Sequence, residues 1–85
     1  MGTTTLSPVF GLVLREWRER AGLSQEALAE RAGLHRTYVG LLERGKRNPT
    51  LDVAHQLGAA LGVTLTALVA EVERRAHPIP YTGGP

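Results

Sequence analysis

The side chains best equipped for chemistry gather between positions 36 and 47, where Arg36, Arg44, Lys46 and Arg47 stand against Glu43 alone. A cluster of fixed positive charge neutralises phosphates and releases their counterions, but it supplies neither a base nor a nucleophile. Other groups point nowhere else. Asp52 and His55 lie three apart, a spacing that a helix can turn toward one metal ion. No further clustered ligand joins them, and two ligands do not make a zinc site. Ser7 and Ser24 each precede a helical pattern and read as caps rather than nucleophiles. The run Gly45-Lys46-Arg47-Asn48 lacks the glycine-rich approach and the preceding strand of a phosphate-cradling loop. No catalytic residue, no metal and no cofactor is expected, and the chain is not read as an enzyme.

The basic cluster needs a platform, and the stretch Leu23–Gly45 supplies one. Ser24 caps a helix over 25–32 that carries Leu28, Ala29 and Ala32 on one face. Gly33 is free to adopt a positive φ, so it can stop that helix and redirect the chain. A second helix follows over 36–44, with Val39 and Leu42 spaced to face the first. Two helices crossing at about 90–120° need a small residue at their contact, and Ala29 is placed to be it. The constellation Ala29, Gly33, Val39 and Leu42 has helix-turn-helix spacing, and a basic cluster beside such a motif predicts phosphate binding.

Three further helices are expected around this pair. Ser7 and Pro8 read as N-cap and first helical residue of a helix over 8–21. Its apolar stripe is Phe10, Val13, Leu14, Trp17 and Ala21, with Trp17 assigned to the core. Gly11 costs that helix about 1 kcal/mol relative to alanine. Thr50 caps a helix over 51–61 whose core face is Leu51, Ala54, Leu57, Gly58 and Leu61, and Asp52 suits its dipole. Gly58 predicts close approach of another helix. Thr64 caps the last helix, 65–76, with the stripe Leu65, Leu68, Val69, Val72 and Ala76. The fold class is all-α with five helices. Residues 1–7 and 77–85 are expected to be flexible ends flanking one helix-turn-helix domain over 8–76.

Composition bounds this picture. Eighty-five residues suffice for one small domain but not two. Aromatics make up only 5% of the chain, so the core must be built from Leu, Val and Ala. Absence of cysteine excludes disulfides and thiolate metal sites and suits a reducing compartment. The opening MGTTTLS has no basic leader pattern, and no apolar run approaches the ~18 residues of a membrane span. A cytoplasmic, soluble protein without membrane contact is expected.

With these motifs in place, the sequence resembles the helix-turn-helix family of Cro proteins and phage repressors, the XRE-type regulators. The likeness spans Phe10–Leu68. It is carried by Phe10-Gly11, the run LREWRERAGLSQ, the turn AERAGL, the loop ERGKRNPTL and the ALGV of Ala60–Val63. Within the family, GLHRTYVG followed by ERGKRN is most similar to the controller proteins of restriction–modification systems. The resemblance implies a lambda-repressor-like DNA-binding domain and a sequence-specific transcription regulator, either repressor or activator.

Site roles carry over by resemblance. Arg36, Thr37 and Tyr38 open the recognition helix, and Arg36 is the candidate for guanine readout because its planar fork matches O6 and N7. Gly40 and Leu41 replace polar residues common at those positions, leaving close docking to the first and, to the second, either a thymine methyl or a place in the core. Gln25, Arg44, Lys46, Arg47 and Asn48 would grip the DNA backbone. His35, where serine or threonine is usual, caps poorly and is a candidate for a phosphate contact. Arg18 and Glu43 would form a partly buried structural pair, which Glu43 needs on physical grounds at the acid-disfavouring end of its helix. The implied partner is double-stranded DNA, a palindromic operator bound by a homodimer through Leu65, Val69, Val72 and Ala76 of the last helix. A rival reading is the antitoxin of a toxin–antitoxin pair, with the tail 77–85 as the surface for a partner protein (the toxin).

Overall fold

Ser24, Thr50 and Thr64 each precede a helix. In each case the side-chain hydroxyl accepts the backbone N–H three residues on, from Ala27, Val53 and Ala67, at 3.0 Å. Such a cap satisfies one of the four orphan donors of a helix start and is worth about 1 kcal/mol. The computed structural model describes residues 6–76. Along them run α1 (Ser7–Arg20), α2 (Gln25–Ala32), α3 (Arg36–Glu43), α4 (Leu51–Leu61) and α5 (Leu65–Ala76), and the described residues contain no strand. The all-α expectation holds. Bounds of α2, α4 and α5 are those read from the sequence, and α3 stops one residue earlier, with Arg44 as its C-cap.

The turn between α2 and α3 depends on Gly33, whose φ of 71° lies in the left-handed region that side chains avoid. There the Leu34 N–H closes on the Ala29 carbonyl at 2.8 Å, finishing α2 and aiming the chain into α3.

The start of α1 departs from expectation. Ser7 is not its cap: the N-cap position is Leu6, in helical conformation and without any side-chain bond. Ser7 is itself the first helical residue, so its hydroxyl donates instead to Oδ1 of Asn48 in the α3–α4 loop. Pro8 packs there too, its Cα lying 3.0 Å from where a Cβ on Gly45 would sit. The start of α1 is thus held by that loop rather than by its own cap.

Val13, Leu14, Leu28, Val39, Leu42, Leu57 and Leu68 are completely enclosed, and Phe10, Ala29, Ala32, Ala54 and Val72 complete the core. Burying one such Val or Leu is worth roughly 1.5–3 kcal/mol, the main favourable term here. α1 packs against α3 and α5, α2 against α3 and α4, and α4 against α5. Trp17 packs on the core without being enclosed.

Four stripe positions face outward or serve differently, Val69 of α5 being one, at 40% exposure. Ala21 is exposed because α1 has ended at Arg20. Leu51 is 74% exposed and does not join the core it was assigned to, which Val53 and Ala54 of the same turn reach instead. A Cβ on Gly58 would lie 3.0 Å from the Val63 carbonyl, so the close approach is that of the α4–α5 turn and not of a helix. No single helix among the described residues is long and apolar enough to cross a membrane. The expected flexible ends lie outside the described residues, save Leu6 and Ser7.

Candidate nucleic-acid interface

α3 is an eight-residue helix with two dissimilar sides. Val39, Leu42 and Glu43 are buried, whereas Arg36 and Thr37 are exposed and Tyr38 and Leu41 half-buried. The side away from the core therefore presents Arg36, Thr37, Tyr38 and Leu41 of the residues singled out for base readout, whereas Gly40, the fifth, is buried. His35 precedes the helix in extended conformation (φ −85°, ψ 143°) and makes no side-chain cap, as its residue type predicts.

What fixes the tilt of α3 is a buried polar knot. Arg18 Nε donates to Glu43 Oε2 at 2.6 Å and its Nη2 to Oε1 at 3.1 Å, a two-pronged pair across α1 and α3. Its Nη1 donates to the Leu23 carbonyl at 2.8 Å. Arg18 and Glu43 retain 9% and 8% of their exposure. Hydrogen bonding to Glu43 holds the Arg18 guanidinium above its ordinary pKa, against the opposing effect of burial. Gln25 joins the knot: its Nε2 donates to Glu43 Oε1 at 2.9 Å. The amide expected to reach for a phosphate is therefore turned inward, because a buried carboxylate oxygen is the stronger acceptor available to it.

Gly11 lets this happen. A Cβ there would lie 2.4 Å from the Leu42 carbonyl and 2.6 Å from that of Glu43, so the backbones of α1 and α3 approach as closely as only glycine permits. Gly40 is buried under Gln25 and Arg44, whose nearest side-chain atoms would be 3.5 and 3.3 Å from an added Cβ. The space that its missing side chain leaves is taken by these two residues.

Around α3 the cations are arrayed in the open. Arg44, Lys46, Arg47 and Asn48 are exposed. The Arg47 guanidinium carbon sits 5.7 Å from the Tyr38 ring centroid, within cation–π range, which steadies both side chains at the loop edge. Arg36 Nη1 lies 3.8 Å from Glu26 Oε1 on α2. Sequence reasoning assigned no role to Glu26; as a favourable acid in the first turn of α2 it has a sufficient local explanation, and its proximity to Arg36 emerges only from the angle between the helices.

α5 is tied down by a second ionic group. Arg75 donates to Glu16 Oε1 and Oε2 at 2.6 and 2.9 Å and to Glu71 Oε2 at 2.6 Å. On this helix Val72 is 95% covered by the chain's own core, Leu65 and Ala76 are half-buried, and Val69 is 40% exposed. Leu6, Phe10, Pro49, Leu51, Val69 and Val72 line an apolar groove of about 260 Å³ where α1, α4 and α5 meet.

An exposed helix held at a fixed tilt by a buried ion pair, flanked by open cations, is the layout of a DNA-binding helix-turn-helix. Residues 14–68 match the helix-turn-helix family, and the chain belongs to it, within the XRE-type class of DNA-binding transcription regulators. Among its relatives is control protein C.MunI of Mycoplasma sp, 41% identical over 66 residues, which are 76% of this chain and 89% of that protein. Control protein C.SmaI of Serratia marcescens is 46% identical over 56 residues, covering 66% of this chain and 67% of that one. In three dimensions the chain is similar to the restriction–modification controller protein C.AhdI from Aeromonas hydrophila. That structure superposes with a TM-score of 0.70 and 48% identity over 72% of this chain and 92% of that chain.

Proposed function

We propose that this regulator controls a restriction–modification system, binding a palindromic operator as a homodimer with α3 of each protomer in the major groove. The observation that carries this reading is the exposure of Arg36 and Thr37 at the start of a helix whose other side is locked by Arg18–Glu43. Arg36 is placed to offer its fork to guanine O6 and N7, with Thr37, Tyr38 and Leu41 beside it for base edges and methyl groups. Gly40 adds no contact of its own and keeps Gln25 and Arg44 close to the helix. His35, Arg44, Lys46, Arg47 and Asn48 hold phosphates and set the register. Gln25 supports the site chiefly through Glu43. The control proteins among its relatives favour this role over other regulators of the same family.

A homodimer supplies what one small protomer lacks, namely a second helix one turn along the duplex, about 34 Å away. With Val72 committed to the core, the pairing surface centres on Val69 and takes in Leu65, Ala76 and the exposed Leu51 and Leu6 beside the groove. The antitoxin alternative placed its protein-binding surface on 77–85, outside the described residues.

Selection of binding sites from random duplexes tests the proposal. An inverted repeat with half-site centres about one helical turn apart is expected. Recovery of unrelated duplexes, or of a single unrepeated half-site, would contradict it.

A further inference from the structure

Glu26 stands in the first turn of α2, and its Oε1 lies 3.8 Å from Nη1 of Arg36. Both side chains are open to solvent, 74% and 67% exposed. As a prop for the fold such a pair is close to worthless, since water screens the charges and two long side chains lose freedom in meeting. Its location gives it another consequence. On a surface built to meet phosphates, a carboxylate repels every duplex alike, unless the group it touches is itself engaged differently by different sequences. Arg36 is such a group.

We propose that Glu26 is a positioning residue for Arg36 and that it widens the gap between operator and random DNA. The inference rests on the reading that Arg36 faces base edges. Arg36 carries five N–H donors in one plane. With the Glu26 carboxylate drawing on one edge of that plane across 3.8 Å, the opposite edge stays free for guanine O6 and N7. Exclusion of water from the occupied groove strengthens the Glu26–Arg36 contact beyond its worth in the free protein. On a duplex that lacks the guanine, the remaining use for Arg36 is a phosphate. Glu26 opposes that use twice, by retaining the guanidinium and by repelling the phosphate. It therefore acts against wrong sequences more than it acts against the right one, which is how specificity is gained from a repulsive element.

The test is Glu26→Gln, which keeps the size and polarity of an exposed side chain while removing its charge. Binding by fluorescence anisotropy is compared for the selected operator and a scrambled duplex of equal composition, across a salt series. The scrambled duplex is expected to bind more tightly, with a salt dependence steeper by about 0.9, the contribution of one additional phosphate contact. The operator-to-scrambled ratio should fall by about tenfold, the scale of one lost base discrimination. In an Arg36→Ala background the same substitution should leave the ratio unchanged. Equal tightening on both duplexes, or the same fall in the ratio without Arg36, would overturn the role of Glu26. Wild-type protein that binds both duplexes alike would remove the readout by Arg36 itself, so the two failures are distinct.

Discussion

At the scale of single residues, the position of α3 comes down to one buried carboxylate. Glu43 accepts from both Arg18 and Gln25, and Arg18 is 25 positions away in the chain. Burying these charges is costly, and the pair is tolerated because every donor of the fork that points inward finds an oxygen. Removing one partner is then far worse than removing both. Arg18→Met should lower stability by about 3–5 kcal/mol, measured by urea unfolding, because it strands a buried charge. The double variant Arg18→Met with Glu43→Leu should recover most of that loss. If Arg18→Met unfolded at the wild-type urea midpoint, the pair would have no structural part.

At the scale of elements, two features of α1 decide how the helices meet. Gly11→Ala would gain about 1 kcal/mol of helix propensity in isolation. Here the added Cβ meets main-chain carbonyls at 2.4 and 2.6 Å, which cannot swing aside. Overpacking of this kind costs about 1–3 kcal/mol, so the substitution is expected to lower the thermal midpoint; a rise would show that α1 and α3 have room to part. Further along, Arg75 bridges Glu16 of α1 and Glu71 of α5. Hydrogen bonds from Arg74 and Arg75 hold the Glu71 carboxyl down to about 2 from an ordinary 4.5, and Arg75 lowers Glu16 as well. A carboxylate with a depressed folded value stabilises the fold fully above its ordinary value and loses that contribution as pH falls toward the folded one. The difference in thermal midpoint between wild type and Glu71→Gln should therefore shrink between pH 4.5 and about 2; a constant difference would contradict this tie. These same elements show what the sequence reveals. The caps at Ser24, Thr50 and Thr64 and the turn at Gly33 are local chemistry, so the helices of the motif and after it were legible to within a residue. The Arg18–Glu43 pair was legible through family resemblance and the misplaced acid. Gly11, Leu51, Glu26 and the hydroxyl of Ser7 have their roles set by segments distant in the chain, and no local pattern encodes those distances.

At the scale of the whole molecule, a small body carries α3 on one side and leaves an apolar groove beside α5. Val69 borders that groove and is 40% exposed, so a charge there spares the protomer core and falls on the surface assigned to pairing. Val69→Glu should shift sedimentation equilibrium toward the monomer and weaken operator binding while leaving helicity intact. An undiminished dimer would move the interface elsewhere. The same substitution separates the dimer from the fold, which Val72 cannot do because its side chain is already spent on the core.

The central claim is that Arg36 reads a guanine from the start of α3. The most direct measurement is a double-substitution cycle on the selected operator, pairing Arg36→Ala with 7-deazaguanine at the guanine that the selection holds invariant. Wild-type protein should lose affinity with the altered base by about 1–3 kcal/mol, and Arg36→Ala should bind the two duplexes equally. Equal losses for wild type and Arg36→Ala, at every guanine of the half-site, would contradict the account.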